Sequence, residues 1–168
     1  ESYGSSVSDD GKYVAFFSRD DELVANDTYD TKDFFLWDGA SQSITLTNTL
    51  ADGARVERNL NYTQICGDGK WIVMSNKDFL LKNREDGSVA KFVTEEDYYN
   101  HIDMSSDGTL VLYESVTNSH SAVFLYDRIT NSQRTIEMGH YGSGTGDGCH
   151  VMSGEGAISG DGSTIVYQ

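Results

Sequence analysis

Proline is absent from all 168 residues. No turn can therefore draw on its fixed φ, and every chain reversal must rest on Gly, Asp, Asn or Ser. Only two cysteines occur, Cys66 and Cys149. They form no CxxC pair and no ligand cluster surrounds Cys66, which argues against a structural metal site; one disulfide and two free thiols both fit. No run approaches the ~20 apolar residues of a membrane-spanning helix, so membrane insertion is not expected. Positive charge is scarce, with 12 Lys+Arg against 27 Asp+Glu and a net charge of -15. A field of that sign repels phosphate backbones and anionic headgroups, which argues against nucleic acid as a partner. It leaves a solvated surface, a bound cation or a basic partner. Signatures of chemistry are missing too. There is no GxSxG elbow. The glycine-rich run 142–148 fails GxGxxG, because Asp147 stands where the third glycine belongs, and no Lys follows to make a phosphate loop. No catalytic residue and no cofactor-binding residue is assigned.

What the chain does contain is one segment four times. Val7–Ser18 (VSDDGKYVAFFS) recurs from Ile65 (ICGDGKWIVMSN), Met104 (MSSDGTLVLYES) and Ile158 (ISGDGSTIVYQ). Asp-Gly between two strand-like runs is a strong hairpin signal. The pattern predicts two-residue type I′ turns at Asp10-Gly11, Asp68-Gly69, Asp107-Gly108 and Asp161-Gly162, with positive φ at both central residues. After each hairpin come a third and a fourth apolar run: Asp33–Asp38 and Ser43–Thr47, Asp78–Lys82 and Ala90–Thr94, Ala122–Asp127 and Gln133–Glu137. Four antiparallel strands joined by tight turns make the blade of a β-propeller.

The expected fold is thus all-β, a partial propeller of about three and a half four-stranded blades. Blade one covers residues 1–50, blade two 60–95, blade three 100–138, and the first half of blade four 155–168. Second-strand residues Val14, Phe16, Ile72, Met74, Val111, Tyr113 and Ile165 should pack between blades, with the neighbour that each alternate set faces left open. Three and a half blades cannot close a ring without leaving open sheet edges. The expectation is that the remainder comes from more chain or from another subunit.

Blade one in particular resembles the repeat of TolB-like β-propellers, roughly Ser-x-Asp-Gly-(Arg/Lys)-Tyr-Val-Ala-Phe-x-Ser, then Leu-Val-x-x-Asp-Thr-Asn, then Asp-(Val/Ile)-(Phe/Tyr)-Val-x-Asp. Here Tyr29 stands where that repeat usually has Asn. Blades two and three share the Asp-Gly hairpin and the third strand, and blade four the hairpin. The resemblance implies the fold and a secreted, periplasmic or cell-surface setting. For function it implies a binding or scaffold module with a protein or glycan ligand, or else the propeller portion of a larger hydrolase or peptidase that gates a catalytic domain outside this chain. Sialidase Asp-boxes, which place one residue between Asp and Gly, do not match.

Two groups of residues are candidates for a site. Asp27, Asp30 and Asp33 lie in one acidic loop with Asn26 and Thr28, and hard oxygens of this kind suit calcium. Yet Lys32 occupies the place where an EF-hand loop has Gly, and a solvated turn is the competing reading. The second group comes from the two long inserts, Asn48–Tyr62 and Met138–Glu155, which precede innermost strands and should emerge on one face. They offer Arg55, Arg58, Tyr62, His140, Tyr141 and His150 to a partner, or else serve as ion-paired connectors.

Overall fold

The computed structural model describes residues 2–25, 27, 32–50, 54–55, 62–75, 79–92, 98–116, 120–140 and 156–167. Among them every regular element is a strand. Blade one contains β1 (Ser2–Val7), β2 (Tyr13–Ser18), β3 (Asp33–Asp38) and β4 (Ser43–Leu46). Blade two contains β5 (Tyr62–Ile65), β6 (Trp71–Ser75), β7 (Phe79–Asn83) and β8 (Val89–Phe92). Blade three contains β9 (Tyr98–Met104), β10 (Leu110–Val116), β11 (His120–Asp127) and β12 (Ser132–His140). The pair β13 (Ala157–Ile158) and β14 (Ile165–Val166) begins blade four. Each sheet is an antiparallel meander in chain order, and the first strands β1, β5, β9 and β13 touch in succession. That arrangement is the β-propeller expected from the repeats.

The hairpin turns are built differently from the expectation. Only the glycines take positive φ: Gly11, Gly69, Gly108 and Gly162, at 69°, 73°, 67° and 72°. The aspartate before each of them does not. The turn is a four-residue loop closed by a backbone bond, Gly11 N–H to Ser8 C=O at 2.9 Å in the first copy, which is the commoner architecture for loops of this length. Side chains supply the rest. Ser8 donates its hydroxyl to Asp10 Oδ1 (2.8 Å), the same oxygen accepts from Lys12 N–H (3.0 Å), and Ser8 Oγ accepts from Tyr13 N–H (3.1 Å). The cycle recurs with Ser105, Asp107, Thr109 and Leu110, and with Ser159, Asp161, Ser163 and Thr164. In the second copy Cys66 stands in for the serine. Its thiol donates to Asp68 Oδ1 (2.9 Å) and accepts from Trp71 N–H (3.1 Å). Burial, then the neighbouring carboxylate, pushes that thiol up to about 11, so it is a neutral structural group at physiological pH.

Neighbouring blades are joined at these turns and through their faces. Asp9 N–H bonds Gly67 C=O, Asp68 N–H bonds Ser106 C=O and Ser106 N–H bonds Gly160 C=O, each at 2.8 Å. Between the faces, Ala15, Phe17, Phe34 and Leu36 of blade one pack against Ile65, Ile72, Met74 and Leu80 of blade two. Val73, Phe79 and Leu81 of blade two meet Met104, Val111, Tyr113 and Tyr126 of blade three. Leu112, Val123 and Leu125 then meet Ile158. These junction contacts settle the question left open by the sequence. Ile72, Met74, Val111 and Tyr113 all face the preceding blade, and the alternate set faces the following one. Tyr113 is fully buried, its ring 4.6 Å from Phe79 across the junction and 5.3 Å from Phe124 within its own blade. Burying one such side chain contributes roughly 1.5–3 kcal/mol.

An arginine clips each of the first two junctions. Arg84, just after β7, donates Nε–H to Gly69 C=O (2.7 Å) while its guanidinium lies 4.1 Å over the Tyr13 ring of blade one. Arg128 repeats this one blade later, on Gly108 C=O (3.0 Å) and over Trp71 at 4.0 Å. Cation–π contacts of this kind contribute about 0.5–2 kcal/mol.

The turn glycines carry a sharp expectation. A Cβ on Gly108 would come within 2.8 Å of Trp71, whereas one on Gly11 would meet nothing within 4 Å. Gly11→Ala should cost only the left-handed strain, roughly 1–2 kcal/mol. Gly108→Ala adds a clash and should cost distinctly more, as read by urea unfolding of the two variants side by side.

A pH dependence follows as well. Lys12 and the Ser8 hydroxyl hold Asp10 down to about 2 from an ordinary 3.8, and the hydroxyl of Ser159 with the Ser163 backbone does the same for Asp161. Asp38, Asp86, Asp107 and Asp127 are also lowered by turn hydrogen bonds. Groups depressed in the folded state stabilise fully above their unfolded pKa and lose that contribution as they take up protons. The melting temperature should therefore hold steady down to about pH 4 and fall between about 4 and 2. In Asp161→Asn the loss over that window should be smaller.

Candidate functional site

Reversals in a meander alternate ends, so the β2–β3 loop and the segment after β4 lie at the same end of blade one. Arg55 ties them together. Its Nη2 reaches Asp27 Oδ1 in the β2–β3 loop at 2.5 Å and Asp33 Oδ2 at the start of β3 at 2.8 Å. The two aspartate side chains are only 2% and 3% exposed, and the arginine 14%. Asn48 completes the arrangement. It donates Nδ2–H to Asp33 Oδ1 (2.6 Å) and accepts from Phe34 N–H (3.2 Å). Arg55 itself is held by a bridge to Thr49, with Leu50 N–H bonded to Ala54 C=O at 2.8 Å. From blade two, Lys82 Nζ reaches Thr47 C=O, Thr49 C=O and Thr49 Oγ1 at 3.1, 3.0 and 2.9 Å. Burial lowers the pKa of that lysine.

Chemically this is a closed ion-paired knot, one positive charge against two negative ones. One guanidinium lies between two buried carboxylates, the position a bound cation would take in a calcium loop. Asp27 and Asp33 are thus brought together as the sequence suggested, but around Arg55. Asp30, the third proposed ligand, lies outside the described residues. Among the described residues, no cluster of three His, Cys, Asp or Glu side chains is placed to hold a metal.

Arg55 is turned inward and ion-paired within its own chain. Of the other residues offered to a partner, Tyr62 opens β5 and is exposed. His140 ends β12, at the corresponding end of blade three. Arg58, Tyr141 and His150 lie outside the described residues, as does Cys149.

Beside the knot, a cleft of about 450 Å³ opens between Val24 and Ala25 on one side and Ile44, Leu46 and Thr49 on the other, with Arg55 in its wall. Asn48, Lys82, Arg84 and Arg128 were missed by the sequence reading. A faint signal for the arginines existed: each follows the Asn or Asp that ends a third strand, Asn83-Arg84 and Asp127-Arg128.

The fold and these joints define a segment of a β-propeller. Its resemblance to TolB-like propellers is borne out in three dimensions. Over 82% of this chain it superposes on the putative TolB of Agrobacterium tumefaciens, with a TM-score of 0.60 and 18% identity, covering 50% of that chain. An oligogalacturonate lyase in complex with manganese matches over 99% of this chain and 46% of its own, with a TM-score of 0.64 and 14% identity. Dipeptidyl peptidase 4 of Porphyromonas gingivalis matches over 98% and 28%, with a TM-score of 0.65 and 10% identity. At such identities the likeness is one of fold, and this chain spans half or less of each of these proteins. No family model and no curated protein matches the sequence. The chain has the TolB-like β-propeller fold.

Removing Arg55 should leave two buried carboxylates face to face. Arg55→Ala is expected to cost about 3–5 kcal/mol, the range for breaking a buried ion pair by deleting one partner. Adding Asp27→Asn and Asp33→Asn to that variant should recover part of the loss. Denaturant unfolding of the single and triple variants reads both numbers, and an unchanged midpoint for Arg55→Ala would show that the knot is not stabilising.

Proposed function

We propose that this chain is a non-catalytic binding or scaffold segment of a larger secreted, periplasmic or cell-surface protein, acting through the loops at the knotted end of its blades. The observation that supports this most directly is the Arg55 knot. It ties Asp27 of the β2–β3 loop and Asp33 to Arg55 of the segment after β4, and tethering binding loops to a scaffold lowers the entropy lost when a ligand docks. The serines and aspartates of the repeated turns are engaged in closing those turns. Arg58, Tyr62, His140, Tyr141 and His150 are the residues we assign to ligand contact, with a protein or a glycan as the ligand. Calcium at Asp27, Asp30 and Asp33 remains a secondary proposal. It would share two carboxylates with Arg55, and equal melting temperatures in calcium and in EDTA would dismiss it.

A second reading has a specific observation in its favour, the likeness in fold to a dipeptidyl peptidase and an oligogalacturonate lyase. In it, the propeller gates a catalytic domain elsewhere in the same polypeptide. One pair of assays on the complete native polypeptide separates the two. Labelling by a fluorophosphonate probe would favour the gating role. The binding role predicts no labelling, and capture of a protein or glycan ligand that weakens at least tenfold, or ~1.4 kcal/mol, when Arg58 and Tyr62 are both changed to Ala. The melting temperature of that double variant should be unchanged.

A further inference from the structure

The last strand of each complete blade ends its sheet: β4, β8 and β12 each pair on one side only. Exposed edges invite pairing with other chains, and charged side chains are a common guard against it. β8 carries Lys91, and β12 carries Arg134 and Glu137. β4 carries no charge, and it alternates exposed Ser43 and Thr45 with half-buried Ile44 and Leu46. Its register shows which backbone groups are open. Thr47 N–H bonds Phe34 C=O at 2.8 Å, and hydrogen-bonded pairs alternate along an antiparallel ladder. Thr45 and Ser43 therefore turn their N–H and C=O toward β3. Those of Ile44 and Leu46, opposite Trp37 and Phe35, point away from the sheet. Among the described residues no hydrogen bond reaches these outward groups.

We infer that the β4 edge is a strand-addition site for an extended, basic peptide segment of a partner protein. The segment docks antiparallel to β4, with apolar side chains entering the cleft beside it. The inference goes beyond the loop contacts proposed above and holds for either role of the propeller. In strand addition, main-chain hydrogen bonds supply affinity and pockets for alternate side chains supply specificity. Both are present. Ile44 and Leu46 each offer an N–H and a C=O outward, and their side chains form one wall of the cleft of about 450 Å³. That size lies within the roughly 300–1,000 Å³ of ligand pockets. Residues opposite one another in an antiparallel pair share a face and exchange their bonds. The peptide residues that bond Ile44 and Leu46 are therefore the ones whose side chains meet the cleft.

Charge selects the partner. The opposite wall, Val24 and Ala25, follows exposed Asp20, Asp21 and Glu22, with Arg19 the cation beside them. Arg55, also in the wall, is outweighed by Asp27 and Asp33. Both parts are net negative, so Lys or Arg flanking the apolar residues is favoured. A second copy of this chain fits less well. Two four-residue strands bury far less than the ~1,200–2,000 Å² of a stable protein interface. Their pairing would also bring together two chains of net charge -15.

The test uses the complete native polypeptide and a fluorescein-labelled peptide, Lys-Val-Thr-Val-Thr-Lys, read by fluorescence anisotropy. A second peptide, N-methylated at both valines, keeps every side chain and charge but cannot donate to β4. It should bind at least tenfold more weakly. Ile44→Pro removes an outward donor and spares the β3 ladder, a place where edge strands tolerate proline. It should weaken the plain peptide by a similar factor. Equal binding of the two peptides, undiminished binding to folded Ile44→Pro, or no saturable binding of the plain peptide would overturn the inference. So would a wild-type dimer that Ile44→Pro converts to monomer, which would make a second copy the occupant. Should Ile44→Pro fail to fold, the two peptides on the wild-type protein still decide. None of these outcomes bears on Arg58 and Tyr62, which test the loop contacts separately.

Discussion

Everything in this molecule hangs on a turn whose fourth residue takes the left-handed conformation that favours glycine. The glycine must adopt positive φ to let the loop close, and in the second, third and fourth copies the space beside it is filled by a side chain of the preceding blade. One atom's absence thus satisfies two demands, local backbone geometry and close approach between blades. The aspartate and serine of the same turn hold the loop shut from within, and the arginine after the third strand reaches back to the glycine carbonyl. Hairpin, blade and junction are consequently specified by one short segment.

This accounts for much of the chain's acidity without invoking a ligand. Among the described residues eight aspartates, at 10, 20, 38, 68, 86, 107, 127 and 161, accept backbone N–H bonds from residues two further on. Such carboxylates work best ionised, since charge-assisted bonds are the stronger ones. A protein assembled from many copies of an Asp-closed turn becomes acidic as a by-product of its architecture. Asp27 and Asp33 belong to a different class. They are buried, and Arg55 pairs with both where water does not reach.

Departures from the repeat are where individuality resides. Cys66 replaces a turn serine and keeps both hydrogen bonds, so the substitution is tolerated. Gly39 replaces a clipping arginine, and Trp37 fills the room. Lys82 stands where blades one and three have Trp37 and Tyr126, and it crosses to blade one to hold the segment carrying Arg55. Each exception redirects one contact while leaving the strand pairing intact, because the ladder depends on backbone and alternation rather than on any single side chain.

The blade architecture was legible in the residues themselves. Asp-Gly turns and period-two apolar runs are local signals, and four repetitions of them reinforce one another. The turn type was misjudged because Asp-Gly suits two loop lengths, and the choice depends on a serine three residues before the glycine that bonds back across the loop. The direction in which each apolar set faces could not be known from alternation alone, which separates two faces without saying which neighbour each one meets. The fate of Arg55 was beyond the sequence altogether. Nothing within its own loop identifies Asp27, 28 positions away, as its partner. Charge scarcity made it look available, and only the folding of two separate loops onto one end of the blade brought it between two buried carboxylates.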